Sequence, residues 1–339
     1  MLAALIAGTV AFLIGGLMAS INPSHHSVRP PNCGLSTALA PSCGAWWGTA
    51  LPNVNADLAS AVSAEQTATG RRLDIVHTYH RWRDVFPTAS ERQIALSGHL
   101  LFENWEPRDS AGHPIRWADI AAGHQDAAID AEARRLASLG RPILVSFSHE
   151  PEMQFATKGT AADFKAAFAH VVRRARNAGA TNVRWVWTVM GLSDPVWLQR
   201  YQQMWPGDAY VDWIAWDPYN FASCGGKPWK SFADIVHPFY AWLTANGHAN
   251  KPYMLAEFGT IEKAGDPSAK PDWLGGVTAA MRSLPNLKAL VYFDLPAPPA
   301  SCDWRSDTSP ASRTAFDQLA RGSAFSWTAT RSITAAMAK

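Results

Sequence analysis

Two glutamates, Glu150 and Glu257, stand where charge is out of place. They close two apolar runs, "PILVSF" at 142–147 and "YMLA" at 253–256, whose composition is that of buried strands. A strand interior excludes a carboxylate, whereas a strand end that opens into a cleft can present one from a rigid support. Two carboxyl groups on opposite sides of one bond suit glycosidic cleavage. One protonates the leaving oxygen, the other attacks the anomeric carbon, and retention requires them about 5–5.5 Å apart. His149 could orient a substrate hydroxyl or cap its strand, and Tyr219 could hydrogen-bond the nucleophile and hold it ionised. Trp105 and Trp187 end the runs on either side of the Glu150 run. A flat indole suits the apolar face of a pyranose, so at least one of them is expected to line a sugar subsite. Trp47, His77 and Asp217, also near strand ends, complete the expected substrate-facing set. Glu152, past Pro151, reads as a solvated loop residue. His77 and His80 find no third ligand at suitable spacing, so no metal and no other cofactor is expected.

These residues need a scaffold, and the chain supplies one by alternation. Strand-like runs occur at 45–51, 73–80, 99–105, 141–150, 182–190, 211–217, 251–259 and 287–294. Helical patterns separate them: 55–70 with Asn55 as N-cap, one long helix over 117–140, then 160–179 capped by Thr160, 195–205, 232–247, 273–284 and 309–320. Eight strand–helix units predict an α/β fold, a single (β/α)8 TIM barrel over 44–325, whose site lies at the C-terminal ends of the strands. Strands four and seven lie across the barrel from each other, so Glu150 and Glu257 can converge. An open doubly wound sheet would normally carry a glycine-rich turn after its first strand, and "WWGTALPN" has no GxGxxG.

The 339 residues carry a net charge of +2, which gives no field to steer nucleic acid or a membrane surface. Residues 2–18 are apolar without a break and lack a preceding Lys or Arg. The segment 1–21 is expected to be a signal peptide or a membrane anchor, followed by a linker over 22–43 and, past the barrel, a tail over 326–339. Export with four cysteines predicts two disulfides among three connectivities, with Cys33–Cys43 and Cys224–Cys302 favoured. The expected product is a secreted monomer.

"SHEPE", followed by "YVDWIAWDPYN", "KPYMLAEFG" and "LKALVYFD", resembles glycoside hydrolase family 26 over roughly residues 44–320. That family contains endo-β-mannanases and some β-glucanases and β-xylanases. The resemblance implies that Glu150 is the acid/base, Glu257 the nucleophile, Tyr219 the nucleophile's partner and His149 a subsite residue. It implies a β-linked polysaccharide as substrate, mannan first, with mixed-linkage or β-1,3-glucan and xylan as alternatives. Pro151 and Glu152 replace the Met-Asn of well-studied family mannanases, Ser146 stands at an Arg position, and Phe293 stands where clan relatives often place Trp. Mannan specificity therefore does not follow from the two carboxylates alone. A polysaccharide-binding barrel without catalysis would keep the aromatics and lose the carboxylates. A metal-dependent hydrolase would need His and Asp ligands at several strand ends.

Overall fold

Runs of Val, Ile, Leu and Trp become parallel strands here because both faces of each run are covered. The structure, a computed structural model, describes residues 33–51, 58–222, 224–297 and 302–325. Its barrel strands are β1 (Trp46–Ala50), β2 (Ile75–Arg81), β3 (Leu100–Glu106), β4 (Ile143–Phe147), β5 (Val183–Val189), β6 (Trp213–Trp216), β7 (Tyr253–Thr260) and β8 (Leu287–Phe293). Each pairs in parallel with the next, and β8 returns to β1 along Trp46–Ala50, which closes a (β/α)8 barrel. Among the described residues no helix is long and apolar enough to cross a membrane. The expected export segment, the N-cap at Asn55 and the 326–339 tail lie outside the described residues.

Strand alternation divides the buried side chains into two layers. Trp46, Ile75, Leu100, Phe102, Leu144, Val186, Trp213 and Met254 fill the barrel interior. Trp47, Val76, Leu101, Trp105, Val145, Trp187, Leu255 and Leu290 belong to the outer layer, between strands and helices. This corrects the reading of three tryptophans as sugar platforms. Trp47 and Trp105 are 0% exposed and Trp187 1%. Trp105 stacks on Trp82 at 4.3 Å, Trp187 meets Trp205 edge-on at 5.1 Å, and Trp47 packs against Phe325 at 4.9 Å. All three point away from the barrel axis by strand parity.

Two helical readings also change. The expected helix over 117–140 is two, Trp117–Ala121 and Asp126–Ser138. Gly123 separates them with φ +86°, a left-handed turn that a right-handed helix cannot run through. A helix unread in the sequence, Ala89–Leu96, joins β2 to β3. It begins with a reciprocal cap in which the Thr88 hydroxyl accepts from the Glu91 N–H and the Glu91 carboxylate accepts from the Thr88 N–H.

Both favoured disulfides are present, Cys33–Cys43 and Cys224–Cys302. The second ties the loop after β6 to the loop after β8. Cys302 and its neighbour Trp304 pack with Tyr219 and Phe221, and the Tyr219 and Trp304 rings lie 4.6 Å apart.

A buried indole that fills the layer outside the barrel should matter to stability first. Trp105→Ala is expected to cost about 3–5 kcal/mol, read as a lower melting temperature. A variant that melts like the parent yet binds saccharide more weakly would return Trp105 to the cleft.

Candidate active site

Glu257 lies on β7, and strict alternation would turn it outward with Tyr253 and Leu255. The β7–β8 pairing prevents this. Leu255 pairs with Leu290 and Phe258 with Tyr292, so two residues of β7 oppose one of β8. Such a bulge re-aims side chains. Leu255 and Phe258 both sit in the outer layer, Ala256 packs in the interior, and the Glu257 carboxylate enters the cleft.

Two phenols meet that carboxylate. Tyr79 Oη donates to Oε1 at 2.6 Å, and Tyr219 Oη donates to Oε2 at 2.6 Å. Tyr79 follows Ile75 and His77 on the inward face of β2. Tyr219 sits in a two-residue extension, Tyr219–Asn220, that pairs with Gly259 and Thr260 at the end of β7. Burial pushes both phenols well above their ordinary pKa, and the nearby Glu257 charge pushes them further. They are therefore obligate donors, which suits an ionised acceptor.

Glu150 arrives by a different route. β4 ends at Phe147, and the chain then turns through Ser148 (φ 54°) and Glu150 (φ 49°), two non-glycine residues in the left-handed region. Strain of this kind persists only where neighbours over-determine it. Trp117 Nε1 donates to Ser148 Oγ, Gln154 Nε2 donates to the His149 carbonyl at 2.6 Å, and the Glu150 N–H donates to the Thr188 carbonyl at 3.2 Å. Glu152 is not the solvated residue expected from its place after Pro151. It is 2% exposed, and its carboxyl accepts the Met190 N–H at 2.5 Å, which pins the turn to the end of β5. Burial pushes Glu152 up to about 8.

His149 lies between the carboxyl groups. Nε2–H donates to Asp217 Oδ2 at 2.5 Å and lies 3.8 Å from Glu257 Oε1, while Nδ1 accepts from the Asn104 amide. Asp217 is 1% exposed, so it holds His149 from below and does not face substrate as expected. His77 is corrected likewise. It is fully buried under the cleft, between Phe102 at 4.2 Å and Tyr79 at 4.4 Å, and burial pushes its ring toward the neutral form. Ligand atoms of His149, Glu150 and Asp217 all lie within 4.8 Å of one another. Burial first, and then the Asp217 charge, pushes Glu150 well above the usual carboxylate range. Of this coupled pair Glu150 holds the proton, because Asp217 already accepts from His149.

The two glutamates open onto one cleft of about 580 Å³, lined on its catalytic side by Tyr79, Asn104 and His149. Its other wall carries Arg81, Asp84, Glu106 and Arg108. Tyr79 falls near the end of the strand-like run 73–80 and was given no role there. Its parity with Ile75 and His77 was the available signal. The charged wall was not singled out, because Arg81 and Glu106 are the last residues of β2 and β3, one past the apolar runs read as strands, and Asp84 and Arg108 follow in the loops.

No protein-family model matches the chain. Endoglucanase H of Acetivibrio thermocellus is 30% identical over 321 residues, 91% of this chain and 32% of that protein. A β-1,3-xylanase of a Vibrio species is 31% identical over 140 residues, 41% of this chain and 28% of that protein. The chain thus spans about a third or less of the length of the curated relatives it matches. Among solved structures, the catalytic domain of a Bacillus sp. JAMB-750 GH26 endo-β-1,4-mannanase superposes with a TM-score of 0.61 at 14% identity, over 83% of this chain and 86% of that one. A GH26 β-mannanase from Bacteroides ovatus gives 0.60 at 16% identity, over 83% and 89%. The chain shares the barrel fold of these enzymes.

The proton on Glu150 can be tested directly. Carboxyl-carbon NMR should give Glu150 a midpoint above that of an ordinary glutamate. Asp217→Asn, which removes a neighbouring negative charge, should move that midpoint down. An unmoved midpoint would leave burial as the whole cause.

Proposed function

We propose that the chain is a retaining glycoside hydrolase of family 26, an enzyme that cleaves a β-linked polysaccharide with Glu257 as nucleophile and Glu150 as acid/base. One observation carries the reading: a carboxylate gripped by two phenol donors shares a cleft with a carboxyl that burial and Asp217 keep protonated. Two carboxyl groups in opposite charge states are what the double displacement requires at its start.

The first step breaks the glycosidic C–O bond. Glu150 gives its proton to the departing oxygen, and a Glu257 oxygen forms an ester with the anomeric carbon on the opposite face. Glu150 is now an anion and Glu257 is neutral. In the second step Glu150 takes a proton from water, the hydroxide oxygen attacks the anomeric carbon, and Glu257 leaves as a carboxylate. Two inversions restore the β configuration. The phenols of Tyr79 and Tyr219 favour the ionised nucleophile at the start and its release at the end. Hydrogen bonds to a charged group contribute on the order of 1.5–3 kcal/mol each. His149, held by Asp217 and Asn104, presents its ring to the sugar beside the cleaved bond.

Mannan is the first substrate, since the barrel superposes on endo-β-1,4-mannanases. A β-glucan or β-1,3-xylan is the second, since the curated relatives carry the names endoglucanase and β-1,3-xylanase. The two disulfides fit an exported protein. We place residues 1–21 as its export or anchoring segment, 44–325 as the catalytic barrel and 326–339 as a tail, acting as a monomer.

Roles are separated by replacement. On an aryl glycoside with a good leaving group, Glu150→Ala should form the ester and then stall for want of a base. Azide needs no base, so it should restore turnover and yield the β-glycosyl azide. In Glu257→Ala azide should enter from the vacated face and yield the α product. Rescue with the opposite stereochemistry would exchange the two assignments. Full activity in both variants would remove the two glutamates from the mechanism.

A further inference from the structure

The cleft wall away from the catalytic carboxyls is built from charge where a neutral glycan would favour flat aromatic rings. It carries Arg81 and Asp84 from the end of β2 and Glu106 and Arg108 from the end of β3. The indoles that could have served, Trp82 and Trp105, are buried behind it.

The balance within this wall is uneven. Glu106 is neutralised from the protein side, because the fully buried Lys158 ammonium sits on its carboxylate. Asp84 turns its carboxylate to the main chain and accepts the Arg81 N–H at 2.7 Å. The guanidinium of Arg81 has no carboxylate within ion-pair reach among the described residues. It donates instead to the Ser110 carbonyl at 2.7 Å. Arg108 Nη1 donates to the Gly112 carbonyl at 3.2 Å, and its Nε reaches Glu106 at 3.4 Å, a carboxylate already taken by Lys158. Both arginines are thus oriented by carbonyls of one turn, Asp109–His113, which is closed by the Asp109 and His113 main chains. A carbonyl partner fixes a guanidinium without cancelling its charge. Its remaining N–H groups match the two oxygens of a carboxylate.

We infer that this wall is a subsite for a carboxylate-bearing sugar, so that the glycan cleaved here carries a uronic acid or an acidic substituent a ring or more from the broken bond. The inference rests on the glycosidase reading and narrows it to acidic polymers. Glu150 and Glu257 would cut beside the acidic residue, and Arg81 and Arg108 would set where.

The test separates binding from turnover. Tetrasaccharides of β-1,4-linked mannose and of β-1,4-linked glucose are compared with the same compounds oxidised to a C6 carboxylate at one terminal ring, at either end. Calorimetry on Glu257→Gln measures affinity without cleavage. At least one oxidised probe should bind tenfold or more tighter than its neutral parent at low salt, and the preference should shrink as salt rises. Adding Arg81→Gln or Arg108→Gln should reduce the acidic-to-neutral ratio at least threefold, and both together should bring it to about one. Circular dichroism of each variant checks the fold. Equal affinity for acidic and neutral probes, no binding of any probe, or a preference that survives both replacements would overturn the subsite. Failure of the glycosidase reading would appear elsewhere, as absence of released sugar when the unsubstituted protein meets a panel of neutral and acidic polysaccharides.

Discussion

One extra residue in β7 decides where the chemistry can happen. Between Leu255 and Phe258, both packed outward, β7 has two residues where β8 has one. Without that bulge Glu257 would follow Tyr253 and Leu255 into the layer between strands and helices, on the far side of the sheet from both phenols. With it, the carboxylate enters a cleft that already contains two phenols. Tyr79 comes from β2 and Tyr219 from the extension beside the end of β7, so the donors belong to elements far apart in sequence that only barrel closure brings together. The Cys224–Cys302 bond supports the same point from outside, because the Trp304 ring beside Cys302 packs against the ring of Tyr219.

The second carboxyl needs the opposite environment, and the turn after β4 provides it. Glu150 stands on a strained backbone held by Gln154, Trp117 and the buried Glu152, and it faces Asp217 with no Lys or Arg paired to it among the described residues. Asp217 has two effects at once. It accepts from His149, which orients the ring, and its charge adds to burial in keeping the proton on Glu150. The difference between the two glutamates is therefore a difference of neighbours. One has two O–H donors, and the other has a nearby anion and little water.

Much of this was legible in the sequence, and the failures have identifiable causes. The eight apolar runs, the cap at Thr160, the pairing of the cysteines and the alternation that closes the barrel depend on local pattern or on counting. The three tryptophans were misread because position at a strand end was weighed without parity. Counting from Ile75 or Leu100, which are interior, sends Tyr79 and Asn104 inward and Trp105 outward. The same counting would have misplaced Glu257, because a bulge leaves no mark in composition. Glu152 looked solvated because its partner, the Met190 N–H, is 38 residues away. The break at Gly123 was visible as a glycine, but a glycine inside a helical pattern does not announce its φ.

Parity also explains a costly cluster that takes no direct part in the chemistry. Thr78, His80 and Glu103 occupy outward positions on β2 and β3, buried beneath the helix Ala89–Leu96. There His80 Nε2 lies 2.9 Å from Glu91 and 3.0 Å from Glu103, with Thr78 donating to Glu103. Burial alone would lower the His80 pKa, but hydrogen bonds to Glu103 and Glu91 push it up to about 10. Burial pushes Glu103 up, whereas in Glu91 the hydrogen bond and charge of His80 outweigh burial and bring the carboxyl down, so the cationic ring is paired first with Glu91. A buried ion cluster of this kind is weak evidence for stability, since desolvation offsets most of the attraction. Its value here is positional. Glu91 also closes the reciprocal cap of its helix, so the cluster joins that helix start to the ends of both strands at one point. The inward neighbours of those outward residues are Tyr79, which donates to Glu257, and Asn104, which holds His149. The cluster behind the sheet and the donors in front of it thus alternate along the same two paired strands.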